Sequence, residues 1–200
     1  SFDVVMDENV AATIALAVPG EHNVLNALGV FAVLFHEGFA PEKIADALSN
    51  FTGTGRRFEI VGELHGITII DDYAHHPDKI RATLSAARIR FPGRRIIAVW
   101  QPHTYSRTRV LAAEFTGAFH DADLVIVSEI YASREKPEGY SSKQIAQAIN
   151  YTNCKFIPDL RAISAFLATE IRPGDVLIVL SAGDANQICI DVINELNERR

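Results

Sequence analysis

A few short stretches of this 200-residue chain crowd together side chains able to move protons or grip anions. Asp71-Asp72-Tyr73-Ala74-His75-His76-Pro77 sets carboxylates beside imidazoles. Gln101-Pro102-His103-Thr104-Tyr105-Ser106-Arg107-Thr108 adds another imidazole, hydroxyls and a guanidinium. Glu129-Ile130-Tyr131-Ala132-Ser133-Arg134-Glu135 and Ser181-Ala182-Gly183-Asp184 follow. An imidazole titrates near neutral pH and can take or give a proton there. An arginine fork matches carboxylate or phosphate oxygens, and a carboxylate accepts from paired hydroxyls. These are the groups needed for proton transfer next to an anionic substrate.

Each group also has a plainer use. Asp71 or Asp72 could cap the helix that begins at Pro77, Ser106 or Thr108 the next helix, and Asp184 the last one. Asp72, His75, His76 and His103 are ligand types for a transition metal, which leaves a metal hydrolase built on Asp72, His75 and His103 as one alternative. Adjacent histidines diverge, however, and the spacing matches no structural zinc pattern, so no metal ligand is assigned. A Ser-His-Asp triad lacks the GxSxG elbow. Neither GxxxxGK[ST] nor GxGxxG occurs in the chain. Thr52-Gly53-Thr54-Gly55-Arg56-Arg57 does not stand between a strand and a helix as a phosphate loop must. The residues thus argue against a free-standing NTPase or dehydrogenase.

The surrounding pattern predicts how these stretches are held. Residues 11–18 read as a strand stopped by Pro19-Gly20, followed by helices over 24–36 and 41–50, the second opened by Pro41. Residues 52–55 are the boundary. Beyond them come strands over 58–64 and 67–70 around a His65-Gly66 turn. Helices over 77–90, 108–119, 142–149, 160–170 and 185–197 then alternate with strands over 95–100, 124–129, 155–157 and 176–180. The later strands are unbroken apolar runs, as in parallel sheets covered on both faces. The expected fold class is α/β, a Rossmann-like, doubly wound, mostly parallel sheet. In such sheets ligands sit at the carboxyl ends of the strands, where all four stretches fall. Their gathering on one edge, with the motifs at 71–77 and 101–108 on neighbouring strands, favours a site over a set of unrelated helix caps.

Composition narrows the setting. With 48% hydrophobic residues the chain has enough for one sizeable core, and its net charge of -6 argues against a broad nucleic-acid or anionic-lipid surface. Cys154 and Cys189 stand far apart, outside any CxxC, so a reducing compartment is expected. No apolar run approaches the roughly 20 residues that span a bilayer. The opening Ser1-Phe2-Asp3 reads as mid-domain sequence.

Taken in order, these motifs resemble the Mur ligase family. Gly20-Glu21-His22-Asn23-Val24-Leu25-Asn26-Ala27 is similar to the GxHNxxNA stretch that ends the family's central ATPase domain. Gly55-Arg56-Arg57-Phe58-Glu59 resembles the RRFE junction into its C-terminal domain. Residues 71–77 resemble DDYxHHP, and 101–108 resemble PHxYSRT. The second His and QPHTYSRT point to the L-alanine-adding branch and away from the murein-tripeptide recycling ligase. The resemblance implies that residues 1–54 end the central ATP-binding domain, as a helical remnant whose partner sheet is mostly missing, and that 55–200 form the C-terminal domain. It implies an ATP-dependent acid–amino-acid ligase of peptidoglycan precursor synthesis in the bacterial cytoplasm, acting on UDP-N-acetylmuramate and L-alanine through an acyl phosphate. ATP and Mg2+ would be held mainly by the rest of the family's chain, including an upstream GxxGKT loop, so the 200 residues alone would be inactive. By position, His22, Asn23 and Asn26 match residues near adenine, Arg57 one that reaches nucleotide phosphate, and Asp72 one that holds ribose hydroxyls. Tyr73, His75 and Arg107 match residues that face the amino acid and acyl phosphate. An alternative for the His22–Asn26 stretch is a helix start with Asn caps. Many relatives carry Arg at Thr104 and Gly at Ser181; the Ser181 hydroxyl either joins the substrate edge or is silent. A non-catalytic nucleotide or acyl-phosphate binding module is the other alternative.

Overall fold

The computed structural model describes residues 1–137 and 139–198. The chain divides into two compact units, Ser1–Gly55 and Arg56–Arg200.

In the first unit β1 (Phe2–Met6) pairs antiparallel with β2 (Asn9–Ile14). Asp7 and Glu8 make the turn, both at positive φ, a conformation that usually calls for Asn-Gly or Asp-Gly. That unusual pair hides the hairpin from sequence reasoning, and the strand expected at 11–18 ends early, at Ile14. Helices α1 (Glu21–His36) and α2 (Pro41–Ser49) follow, and Val4, Ile14, Phe31 and Ile44 form the buried centre. The amino-terminal unit therefore adds a strand pair to the expected helices.

The second unit carries a six-stranded sheet in the order β3-β4-β8-β5-β6-β7. β3 (Glu59–Leu64) and β4 (Ile67–Asp72) are the one antiparallel pair in it, turned by His65 and Gly66, both at positive φ. β5 (Ile96–Gln101), β6 (Leu124–Val127), β7 (Asn153–Phe156) and β8 (Val176–Ser181) run parallel to β4. Every residue of β4, β5, β6 and β8 is buried, because alternate side chains enter two different cores. Ile96, Ala98 and Trp100 pack with Ile80 and Leu84 of α3 (Pro77–Arg90) and Phe115 of α5 (Ala112–Thr116). Ile97 and Val99 pack with Ile163 and Leu167 of α7 (Leu160–Glu170) and Ile188 and Val192 of α8 (Gln187–Glu198). The fold is thus the expected α/β sheet covered on both faces.

Two details differ from expectation. β8 inserts between β4 and β5, so the motifs at 71–77 and 101–108 leave strands that are not neighbours. The chain goes from β4 and β5 to helices on one face and from β8 to a helix on the other, which opens a crevice at the carboxyl ends. The helix expected over 108–119 starts earlier and is broken at Leu111, into α4 (Tyr105–Val110) and α5. Among the described residues no helix is long and apolar enough to cross a membrane.

Candidate active site

The carboxyl end of β4 is built on two carboxylates that the fold uses differently. Asp71 is 5% exposed and accepts from Arg56 Nε at 3.0 Å. Arg56 also donates to the Ser181 and Gly183 carbonyls, so it ties β4 to the end of β8. Asp72 is 7% exposed, and its oxygens accept the Phe58 and Ala74 amides, each at 2.7 Å. Burial raises the affinity of both carboxyls for a proton; Arg56 opposes this at Asp71 and the two amides oppose it at Asp72. Neither residue caps α3, whose N-cap His76 makes no side-chain cap.

Held by the Asp72 turn, Tyr73 and His75 project from the edge. Tyr73 is 37% exposed, with the Arg56 and Arg57 guanidinium groups 5.3 and 6.0 Å from its ring centre. His75 Nδ1 lies 2.8 Å from the Tyr73 carbonyl. A carbonyl only accepts, so Nδ1 carries the hydrogen and Nε2 keeps the lone pair of the neutral ring. His103, after β5, stands 5.8 Å from His75, centre to centre, and has Arg107 Nη1 3.4 Å from its own Nδ1. Burial lowers both imidazoles below their ordinary value, Arg107 lowers both further, and each ring or its neighbour adds to this. The edge therefore presents neutral imidazoles beside a guanidinium: proton acceptors next to an anion clamp.

The loops after β6 and β8 complete the edge. Tyr131 stacks on His103 at 5.7 Å. Glu135 accepts the Ser106 amide at 2.9 Å and the Ser106 hydroxyl, which hold its carboxyl below the usual carboxylate range. Beneath them Gln101, at the end of β5, donates to Asp184 Oδ1 at 2.8 Å and accepts from Ser181 Oγ at 2.7 Å and the Ala185 amide at 3.2 Å. Ser181 is fully buried, and its hydroxyl also accepts the Gly183 amide, so it is turned inward and engaged within the protein. Thr108 donates to the Thr104 carbonyl, Ser106 to Glu135, and the Asp184 carboxylate receives Gln101; the cap roles open to these three in sequence are not the ones they take.

Residues 56–183 match the Mur ligase, glutamate ligase domain. The chain belongs to the Mur ligase family. It is 42% identical over 98% of its length to a UDP-N-acetylmuramate--L-alanine ligase of Desulforamulus reducens, and 46% identical over 92% to one of Pelotomaculum thermopropionicum. It spans 43% and 41% of those relatives, so well under half of each. Among solved structures, the UDP-N-acetylmuramate-alanine ligase of Thermotoga maritima matches 96% of the chain at a TM-score of 0.81 and 29% identity, over 42% of that protein. A murein peptide ligase of Psychrobacter arcticus shares the fold at a TM-score of 0.70.

As a Mur ligase domain, the second unit brings together Tyr73, His75 and Arg107, with Arg57 beside Tyr73. His22, Asn23 and Asn26 lie in the first unit, on the opening turns of α1. There the N-cap is Gly20 rather than an Asn, and the Asn23 side chain donates to the Pro19 carbonyl at 2.7 Å. Sequence reasoning put Gln101, Tyr131 and Glu135 in the edge stretches and Arg56 in the junction, but gave none of them a role. Gln101 had a signal: a polar residue closing an apolar strand must be hydrogen-bonded if buried. For the other three the partner lies in a different loop, and no local pattern marks it. The metal-hydrolase alternative is not favoured: among the described residues no three His, Cys, Asp or Glu side chains gather as a metal site. Burial pushes the Cys154 and Cys189 thiols to about 11 and about 12, which removes them as nucleophiles at neutral pH.

Proposed function

We propose that this chain is the carboxy-terminal part of an ATP-dependent ligase that joins L-alanine to the carboxylate of UDP-N-acetylmuramate. The observation that carries this reading is the neutral His75 imidazole gathered with the Arg107 guanidinium on the strand edge of a Mur ligase C-terminal fold. In the reaction a muramate carboxylate oxygen takes the γ-phosphoryl group of ATP, the bond to ADP breaks and ADP leaves, which yields an acyl phosphate. The alanine amine attacks its carbonyl carbon, the bond to phosphate breaks, and the amine gives up a proton. His75 Nε2 is the acceptor on this edge with a free lone pair, and Arg107 pairs with carboxylate or phosphate oxygens. Tyr73 lines the same end. Arg57, exposed and without a hydrogen bond to any described residue, is free to reach a nucleotide phosphate.

Asp72, buried at the end of β4 under the Phe58 and Ala74 amides and the Thr83 hydroxyl, is by position the residue that holds ribose hydroxyls in this reading. His22, Asn23 and Asn26 take the adenine edge. Magnesium neutralises phosphate charge when bound, held mainly by parts of the longer protein and by the nucleotide itself. The two domains of the reading are 1–54, the end of the ATP-binding domain, and 55–200, the C-terminal domain. The bacterial cytoplasm is the compartment in which these substrates meet.

The test is coupled ADP release by the full-length protein, assayed with each substrate omitted in turn. Turnover that needs UDP-N-acetylmuramate, L-alanine and ATP together is expected, with His75→Gln losing at least about a hundredfold in kcat, the usual scale of a proton-transfer group. Turnover indifferent to L-alanine would sink the reading, and no ADP release with all three substrates present would favour the non-catalytic binding module.

A further inference from the structure

We propose that the loop after β6, residues 129–135, is a brace that positions His103 and Arg107 for the amino-acid end of the site, with Tyr131 and Glu135 as its working side chains; this rests on the ligase reading above. Tyr131 touches the ends of two other strands. Its amide donates to the Pro102 carbonyl at 2.8 Å and its carbonyl accepts the Thr104 amide at 2.9 Å, a parallel bridge across His103. Its ring stacks on His103 with an interplanar angle of 30° and lies so close to Gly183 that a Cβ there would come within 2.7 Å of Tyr131 Cγ. Further along the same loop, Glu135 receives both the amide and the hydroxyl of Ser106, which fixes the first turn of α4, the turn that carries Arg107. The start of the loop is anchored in turn, since Glu129 accepts from the Ile130 amide at 2.9 Å and the Ser141 hydroxyl at 2.7 Å.

One loop outside both sequence motifs thus holds both partners of the His103–Arg107 contact. Thr104 stands between them at φ 68, ψ 143. A β-branched residue keeps that backbone only where its surroundings impose it. The Tyr131 bridge on one side and the Glu135 clasp on the other impose it here. Both side chains act through His103 and Arg107, so they are positioning residues.

Two measurements test the brace. In the full-length protein Tyr131→Leu raises KM for L-alanine about tenfold or more, the scale of a misplaced contact, while KM for ATP stays within about twofold. Tyr131→Phe retains wild-type values because it keeps the ring. Glu135→Ala and Ser106→Ala each raise KM for L-alanine, and their double variant rises no further. Equal rises in every KM, or an additive double variant, overturn the proposal. In the 200-residue chain itself, imidazole titration by NMR reads the ring directly. The groups facing His103 are Arg107, His75, Glu135 and Tyr131. Tyr131→Leu uncovers the ring, so its titration moves to higher pH. An unmoved His103 overturns the brace whatever the protein catalyses. A moved His103 in a protein whose turnover ignores L-alanine sinks the ligase reading and leaves the brace standing.

Discussion

His75 Nδ1 faces the Tyr73 carbonyl at 2.8 Å, and that contact decides which nitrogen can take a proton. The same neighbourhood keeps His75 and His103 below the ordinary imidazole value. The folded rings bind protons more weakly than the unfolded ones. As pH falls through about 6.5 the unfolded chain takes up protons first, so stability drops with pH in that window until the folded rings titrate. Urea midpoints at pH 7.5 and pH 5.5 are expected to differ less in a His75→Gln, His103→Gln double variant than in the wild type; equal differences refute the assignment. Gly183 poses a question of space alone, since its Cβ would sit 2.5 Å from Gln101 Oε1. Gly183→Ala is expected to cost about 1–3 kcal/mol in denaturant unfolding, as forced overpacking does.

At the scale of elements, the strands were legible because β4, β5, β6 and β8 bury both faces and so read as unbroken apolar runs. α3 was legible to the residue because Pro77 opens it. α7 is set by a cap: Asp159 precedes it and accepts the Ala162 amide at 2.9 Å. Asp159→Ala is expected to lower unfolding free energy by about 1 kcal/mol with no change at the site, measured by denaturant midpoint. α4 was misplaced because its start answers to a distant loop. The Thr104 turn and the Glu135 clasp open the helix three residues before the expected position, and neither is a local signal. The β1–β2 turn was missed because Asp7-Glu8 is not a sequence that favours positive φ.

For the whole molecule, the division at Gly55/Arg56 separates two sets of buried residues, one of them much the larger. Residues 56–200 contain the whole six-stranded sheet and both its cores. Expressed alone, they are expected to fold cooperatively and to keep the His75 and His103 titrations of the longer chain; a molten spectrum would refute the independence of the unit.

Residue types and their spacing determined the family, the α/β class and the edge on which Tyr73, His75 and Arg107 would gather. Those depend on short-range patterns: burial on two faces fixes a strand, and a parallel sheet sends every following loop to one end. Tertiary structure alone decided that β8 lies between the two motif-bearing strands, that Ser181 turns inward, and that Arg56, Gln101, Tyr131 and Glu135 hold the edge in shape. The physical reason is shared by all of these. Strand order and loop-to-loop hydrogen bonds join residues far apart in the chain, and no local preference of either partner encodes where the other will be.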